Sequence, residues 1–538
     1  MEKGKSVFIV GGGPSSLLFL QSLSYSIKNI HNLTIYISEP RELGRGTHSE
    51  NLPDYYQLNT ICSEINISPY SSSLKKRLGA GFYEWIFLKG YKWGGGNLSY
   101  DDGREKLRVS PFDHVPRKWL GDYLHEGYLN TINELVEKGL SVKITTSPVV
   151  SILKNEKKYE VTLLTSEKFL TDSILISTGH GDIETKDTIP KNISSKNIQI
   201  NGMGLSAIDT LCDFTTGLGG KFVSKNGDLK YIKSGKEPLI TMMSRRRVTP
   251  FRYRPLISTN TLKHKAFFLK KGNYSQPLTS LEDVKEILIN EMALSERRHH
   301  YFFTGRARKF KEIEDMIFLK NKKQLKLISM SSPYISAFKD VFDCEGFDTS
   351  RDNIISFIEN DLLEAKKGLY ASSFKYGLEV LRALRNEIRN VYLEIKNDNM
   401  LIKQFYKHIV PAINRNVICH QYERGEELLA LIESRVVNIC YEPEPNSELD
   451  LVIDGFVKNK KDSVFDSFKD MGLIKTKPIP GLYETNEEGR VNFESPQNIW
   501  ALGPITEGST YYNHYVPGEE FCHLESMAEK ITSSILNN

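Results

Sequence analysis

Glycine recurs at two places in this chain with a spacing that suits phosphate chemistry. The first run is Gly11-Gly12-Gly13-Pro14-Ser15-Ser16, after the β-rich Ser6-Val7-Phe8-Ile9-Val10 and before an apolar run from Leu17. The second is Gly202-Met203-Gly204-Leu205-Ser206-Ala207, after Ile198-Gln199-Ile200-Asn201 and before Ile208. In a strand–turn–helix unit the first glycine permits the tight turn. The second lets backbone N–H groups approach a diphosphate, and a small third residue lets the helix pack on the strand. Gly11, Gly13 and Ser16 fill these places in one run, and Gly202, Gly204 and Ala207 in the other. The helix start adds unpaired N–H groups and a positive dipole end. Pro14 suits a first helical position, with Ser15 beside it in the same turn. A second β-rich run, Leu33–Ser38, ends at Glu39, where a carboxylate can accept hydrogen bonds from an adenosine ribose. Two such turns imply two nucleotides held side by side, as hydride transfer between cofactors requires.

The elements that must position these residues alternate between strand and helix, so the expected fold class is α/β. It has two Rossmann-like dinucleotide-binding domains, the first discontinuous, and a largely helical insert. Residues 1–190 read as the first part of one domain, closing on the buried-strand pattern Ser173–Ser177 and the turn Thr178-Gly179-His180-Gly181. Residues 191–254 read as the first part of the other. Its second strand, Leu239–Met243, runs into Ser244-Arg245-Arg246-Arg247. An acidic residue there would favour NADH, whereas an arginine fork suits the 2′-phosphate of NADPH. A solvated basic turn and a nucleic-acid patch are the competing readings.

Residues 255–440 read as the helical insert and a candidate substrate region. Thr279 and Glu282 have capping-box spacing ahead of Val284. Phe374, Leu378, Leu381, Leu384, Ile388, Val391 and Ile395 recur at helical spacing as a packing face, with Arg382, Arg385 and Arg389 expected on a solvated face. Residues 441–538 read as the return to both nucleotide domains and a C-terminal helix. Asp450–Gly455 reads as a buried strand and turn, and Asn498–Pro504 repeats that form ahead of Gly508. The glycine cluster Lys92–Asn97 reads as a surface loop.

A chain of 538 residues with 26% charged and 39% hydrophobic residues is an ordinary soluble composition for two or three domains. A net charge of +4 argues against nucleic acid as the main partner. No apolar run reaches the roughly 20 residues that span a bilayer, so no membrane partner is expected. The N-terminus enters a strand at once, without a secretory pattern. Six scattered cysteines form no C-x-x-C, which disfavours a metal or disulfide framework and leaves the cytoplasm as the expected compartment. Cys419-His420 reads either as a thiol–imidazole pair or as mere neighbours in sequence.

Together these pieces resemble the two-dinucleotide-fold flavoproteins, with FAD in the first site and NAD(P)H in the second. Within that group the chain is most similar to the FAD/NAD(P)-binding family that includes flavin-dependent amino-acid N-monooxygenases, such as those converting aspartate to nitrosuccinate. Beyond the glycines, the likeness rests on Glu39-Pro40 with Gly44-Arg45-Gly46 and Tyr56–Thr60. It rests also on Pro116-Arg117 with Gly121-Asp122-Tyr123-Leu124, and on Ala501-Leu502-Gly503-Pro504 with Gly508. The resemblance implies FAD contacts from Gly11, Gly13, Pro14, Ser15, Ser16, Glu39, Arg117, Thr178, Gly179, Gly503 and Gly508. It implies NADPH contacts, with NADH as the alternative, from Gly202, Gly204, Ala207, Ser244, Arg245 and Arg246. Asn59 becomes a polar neighbour of the isoalloxazine. His514 becomes a proton donor or substrate contact, against the plain reading of a packed histidine; Tyr511, Tyr512 and Asn513 share its neighbourhood.

The implied activity is N-hydroxylation of an amino acid or related amine by molecular oxygen through a flavin C4a-hydroperoxide, with a homo-oligomer allowed. Thr178-Gly179-His180 differs from the Thr-Gly-Tyr of ornithine and lysine N-hydroxylases. The F-x-G-x-x-x-H-x-x-x-W-P segment of Baeyer–Villiger enzymes is absent; Phe303-Thr304-Gly305 begins it without the later residues. A dehydrogenase or reductase without oxygen insertion, and a flavin-bound redox sensor, are the rival functions.

Overall fold

The structure is a computed structural model. It describes residues 5–27, 32–94, 97–99, 107–179, 196–225, 228–244, 247–257, 262–273, 277–343, 346–418, 420–441, 449–455, 463–470, 483–493, 495, 497–513 and 516–537. The chain divides into two compact units, 1–186 with 459–538, and 187–458.

The first unit opens with β1 (Lys5–Val10), α1 (Pro14–Ser26) and β2 (Leu33–Ser38). A long helix, α2 (Arg117–Glu137), leads into β3 (Ser141–Thr145). Strands β4 (Val149–Asn155), β5 (Lys158–Leu163) and β6 (Lys168–Thr171) form an antiparallel sheet of their own, and β7 (Ser173–Ile176) follows.

In the second unit β8 (Asn197–Asn201), α3 (Leu205–Asp213) and β9 (Leu239–Met243) repeat the opening. The insert that follows includes α4 (Leu281–Phe303), α5 (Arg351–Lys366), α6 (Ser373–Ala383), α7 (Arg385–Ile395) and α8 (Tyr422–Glu433). Strands β10 (Val437–Cys440) and β11 (Leu451–Asp454) complete a parallel sheet of order β10-β9-β8-β11. The chain then returns to the first unit with β12 (Ile499–Ala501) and α9 (His523–Asn537), closing a parallel sheet of order β12-β7-β1-β2-β3.

Period-two side-chain alternation builds the first unit. Val7 and Ile9 of β1 face a core shared with Leu17 and Leu20 of α1, Leu124 and Tyr128 of α2, and Ile531 of α9. Phe8 and Val10 face the opposite core, with Ile152, Val161, Ile174 and Ile176. A parallel strand covered on both faces reads as an unbroken apolar run, which is what Val7–Val10 of β1 is.

Four expectations are corrected. The capping box of α4 is one residue later than Thr279/Glu282: Asp283 N donates to Ser280 Oγ (3.2 Å), and Ser280 N donates to Asp283 Oδ2 (2.8 Å). The apolar stripe from Phe374 to Ile395 is buried as expected but spans two helices, because Leu384 leaves helical geometry at φ −101°, ψ 35°. None of the three arginines is on a solvated face. Arg382 pairs with Glu379 and donates to the Val417 carbonyl, Arg389 is buried and donates to Asn386 Oδ1 (2.6 Å), and Arg385 is half-buried. The segment around Lys92–Asn97 is an antiparallel hairpin, Lys92–Gly94 with Asn97–Ser99; Gly95 and Gly96 lie outside the described residues.

A buried ionic knot anchors the start of the insert. Asp361 Oδ2 accepts from Lys375 Nζ (2.7 Å) and from the Tyr253 N–H (2.7 Å), while Oδ1 accepts from Arg252 Nη1 (2.7 Å). Burial pushes the Asp361 carboxyl up, but Lys375 and Arg252 outweigh it and hold it below the usual range. Removing one partner of a buried pair strands the other charge. Lys375→Met is therefore expected to cost about 3–5 kcal/mol in urea unfolding, and pairing it with Asp361→Asn is expected to recover part of that loss. A cost below about 1 kcal/mol for the single variant would show that the knot does not hold the insert.

Candidate functional site

The two glycine runs fold into the same turn. Gly11 has φ +97° and Gly202 has φ +111°, both in the region that favours glycine. Gly13 and Gly204 are helix N-caps in extended conformation, at φ −88°, ψ −167° and φ −83°, ψ −174°. Ser16 and Ala207 are fully buried where helix meets strand. Neither N-cap glycine supplies a side-chain cap, so α1 and α3 start with N–H groups that no capping side chain satisfies. Space lies in front of both: a Cβ on Gly13 would meet only Gly46 Cα at 3.8 Å, and one on Gly204 only the Phe251 ring at 3.7 Å. A Cβ on Gly11, by contrast, would lie 2.6 Å from the Ser177 carbonyl oxygen. These are backbone cradles of the kind that admits a diphosphate.

Several of the residues singled out in the sequence adjoin the first turn, among them Glu39, Thr178 and Gly503. Glu39 is buried at the end of β2, accepting from Gly12 N (2.9 Å) and Arg41 N (3.1 Å). Gly12 O in turn accepts from Gly44 N (2.6 Å), which brings the 44–46 segment against Pro14. Thr178 and Gly179 follow β7, and Ser177 Oγ donates to Gly11 O (2.6 Å). Gly503 follows β12 at φ +91°, and a Cβ there would collide with Ser15 Oγ. Gly508 has φ +95°, and its N–H donates to Thr510 O (3.2 Å). The neighbouring Glu507 carboxylate accepts from Tyr512 N (2.9 Å) and Asn513 N (2.8 Å).

Arg117 opens α2. Its N–H donates to Tyr56 O (2.8 Å) and its Nε to Gln57 O (3.0 Å). Asn59 lies two residues on, half-buried, on the same loop. His48 shares this region without having drawn notice in the sequence: its carbonyl packs on Gly121 of α2, and its Nδ1 is buried without a hydrogen-bond partner among the described residues. Burial, then the Arg117 charge, lowers its pKa to about 4. A lone histidine in a loop carries no periodic signal, so only the fold could single it out.

Around the second turn, Ser244 N donates to Cys440 O (2.9 Å) at the end of β9. Asp454 accepts from Asn201 Nδ2 (3.0 Å), just ahead of Gly202. Arg245, Arg246 and His514 lie outside the described residues, as do His180 and Cys419. Among the described residues, no group of three or more His, Cys, Asp or Glu could hold a metal ion, and no helix is long and apolar enough to cross a membrane.

The fold carries the same glycine turn twice, once after β1 and once after β8. Residues 8–181 match a family model described as FAD-NAD(P)-binding. The chain is 22% identical over 499 residues to nitrosuccinic acid synthase of Aspergillus oryzae, covering 80% of this chain and 72% of that protein. Among solved structures it is similar to the ornithine N-hydroxylase of Kutzneria sp. 744, at 10% identity and TM-score 0.42. The ornithine hydroxylase of Pseudomonas aeruginosa matches at 11% identity and TM-score 0.41. Each match covers 99% of both chains.

Two predictions follow the geometry. Gly11→Ala is forced into a left-handed conformation against Ser177 and is expected to cost about 1–3 kcal/mol of stability. Gly13→Ala is expected to leave stability within about 0.5 kcal/mol but to weaken FAD binding about tenfold or more, because its methyl occupies the phosphate approach. Thermal unfolding and FAD titration of the two apoproteins separate these effects.

The second prediction concerns acid. An unfolded histidine takes up its proton near pH 6.5, whereas folded His48 does so near pH 4. Its contribution to stability is full above pH 6.5 and is lost as pH falls from 6.5 to 4. In that window His48→Gln should flatten the stability profile by up to about 1.4 kcal/mol per pH unit; an unchanged slope in urea unfolding would refute the assignment.

Proposed function

We propose that the protein is an FAD-dependent, NAD(P)H-consuming N-hydroxylating monooxygenase of an amino acid or related amine. FAD lies on the turn at Gly11–Ser16 and NADPH on the turn at Gly202–Ala207. The observation that carries this reading is the duplicated cradle: positive-φ glycine, glycine N-cap and buried small residue, built once on β1 and again on β8. The reaction class draws on the likeness to nitrosuccinic acid synthase. A cytoplasmic location accords with six scattered cysteines that form no C-x-x-C.

The bound flavin would supply hydride acceptance and oxygen activation. The chain's own residues bind and orient. The first N–H groups of α1 face the FAD diphosphate, with Gly13 leaving room for it. The second lone pairs of the Glu39 oxygens accept from the adenosine ribose while Gly12 N keeps the carboxylate in place. Arg117 and Asn59, held by the 56–60 loop, line the flavin side, and Thr178, Gly179, Gly503 and Gly508 close around the first turn. His514 is assigned to the substrate side. Ser244, Arg245 and Arg246 take the 2′-phosphate of NADPH at the end of β9.

The test is anaerobic addition of NADPH to the purified yellow protein, then air, then a panel of amino acids with hydroxylamine detection. Bleaching, followed by substrate-stimulated oxygen uptake and hydroxylamine, is expected. Bleaching without substrate stimulation would instead indicate a reductase, and no bleaching a redox sensor. Arg245→Ala with Arg246→Ala should raise the KM for NADPH about tenfold or more and spare that for NADH. Equal use of both nucleotides by the parent would remove the 2′-phosphate assignment.

A further inference from the structure

We infer that His420, supplied by the helical insert, is a positioning residue that sets the second dinucleotide turn. This inference rests on the NADPH assignment made above. The imidazole is buried, and its Nε2 lies 2.9 Å from the carbonyl oxygen of Met203, the residue between the two glycines. A carbonyl only accepts, so Nε2 carries the proton. No cis peptide occurs among the described residues. In a trans peptide the C=O and N–H point opposite ways. Holding the Met203 carbonyl towards His420 therefore turns the Gly204 N–H away from it. Gly204 is the N-cap of α3, and a Cβ placed on it would meet only the Phe251 ring, at 3.7 Å, so space adjoins the residue whose N–H is turned in this way. His420 thus aims a donor that it does not itself present to the ligand.

The ring is held in turn. Phe251 and Tyr253 flank it at centroid distances of 5.4 and 6.2 Å. Phe251 also bounds the space in front of Gly204. The His420 backbone bridges to Tyr253, and Arg254 N donates to His420 O (2.8 Å). Tyr253 N is bound by Asp361, and Tyr253 O accepts from Lys375 Nζ (2.8 Å). A continuous path therefore runs from the buried knot on α5 and α6, through Tyr253 and His420, to the Met203–Gly204 peptide. The insert lies far from the turn in sequence, yet it supplies the group that orients the turn.

The experiment titrates NADP+ into the FAD-loaded full-length protein and follows binding by equilibrium dialysis, with FAD content and thermal midpoint recorded for each variant. His420→Phe keeps an aromatic ring between Phe251 and Tyr253 but cannot donate. It is expected to weaken NADP+ binding about fivefold to tenfold, the loss of one hydrogen bond, with FAD content and thermal midpoint held near those of the parent. The KM for NADPH should rise more than kcat falls. His420→Gln, whose amide can donate, should bring affinity back to within about twofold. Equal NADP+ affinity in the Phe variant would overturn the inference. So would a loss that tracks a lowered thermal midpoint and is not rescued by glutamine, since that pattern marks a merely structural role. If the parent itself fails to bind NADP+, the NADPH assignment falls and takes this inference with it. If the parent binds and the Phe variant is unaffected, only the role of His420 falls.

Discussion

The structure depends on two helices that begin with nothing of their own to satisfy their first N–H groups. Both α1 and α3 start at an extended glycine with no side-chain cap. In the insert some helices are capped by a side chain, whereas α5, α7 and α8 are not. Ser280 caps α4 within a capping box, Ser372 caps α6, and Asp398 caps the helix that begins at Asn399. A side-chain cap stabilises a helix by about 1 kcal/mol. Its omission at both glycine turns keeps the helix dipole and N–H groups available to an anion, which then stabilises the helix when bound.

That omission has to be supported elsewhere. The first turn is pinned by contacts from distant parts of the chain. Glu39 holds Gly12 from β2, Ser177 holds Gly11 from the end of β7, and Gly503 presses on Ser15 after β12. Each contact comes from the carboxyl end of a parallel strand, where an open α/β sheet gathers its loops. The sheet carries these loops because both its faces are covered, by α1, α2 and α9 on one side and by β4–β6 on the other.

The second turn is pinned from the insert. Asp361, Lys375 and Arg252 form a buried ionic knot whose reach extends through Tyr253 to His420. Such a knot contributes little net stability over apolar packing, but it allows few alternative arrangements. It fixes where the 251–254 segment lies, and Phe251 and His420 then bound the turn.

The nucleotide turns were legible from residues alone because their chemistry is local. Only glycine suits φ values near +100° at positions 11 and 202, and only a small residue fits at 16 and 207. The strands at 173–176 and 499–501 were legible because a doubly covered strand is a short, mostly apolar run, and 239–243 because it is a β-rich run placed after the second turn. The rest depended on partners distant in sequence. Arg382 and Arg389 read as solvated because helical spacing cannot show that Val417, Glu379 and Asn386 await them. The cap at Ser280 differs from the one expected at Thr279 because adjacent residues offer the same chemistry, and only backbone geometry selects between them. His48 carries no pattern at all, and His420 showed only as the neighbour of Cys419; burial beside Arg117 and contact with the Met203 carbonyl define them. By itself the sequence determined the class of fold, the two cradles and the covered strands, since these follow from backbone sterics and short-range burial. Tertiary structure alone decided which side chains hold those cradles in shape, because long-range contacts are chosen by packing, on which local spacing bears no mark.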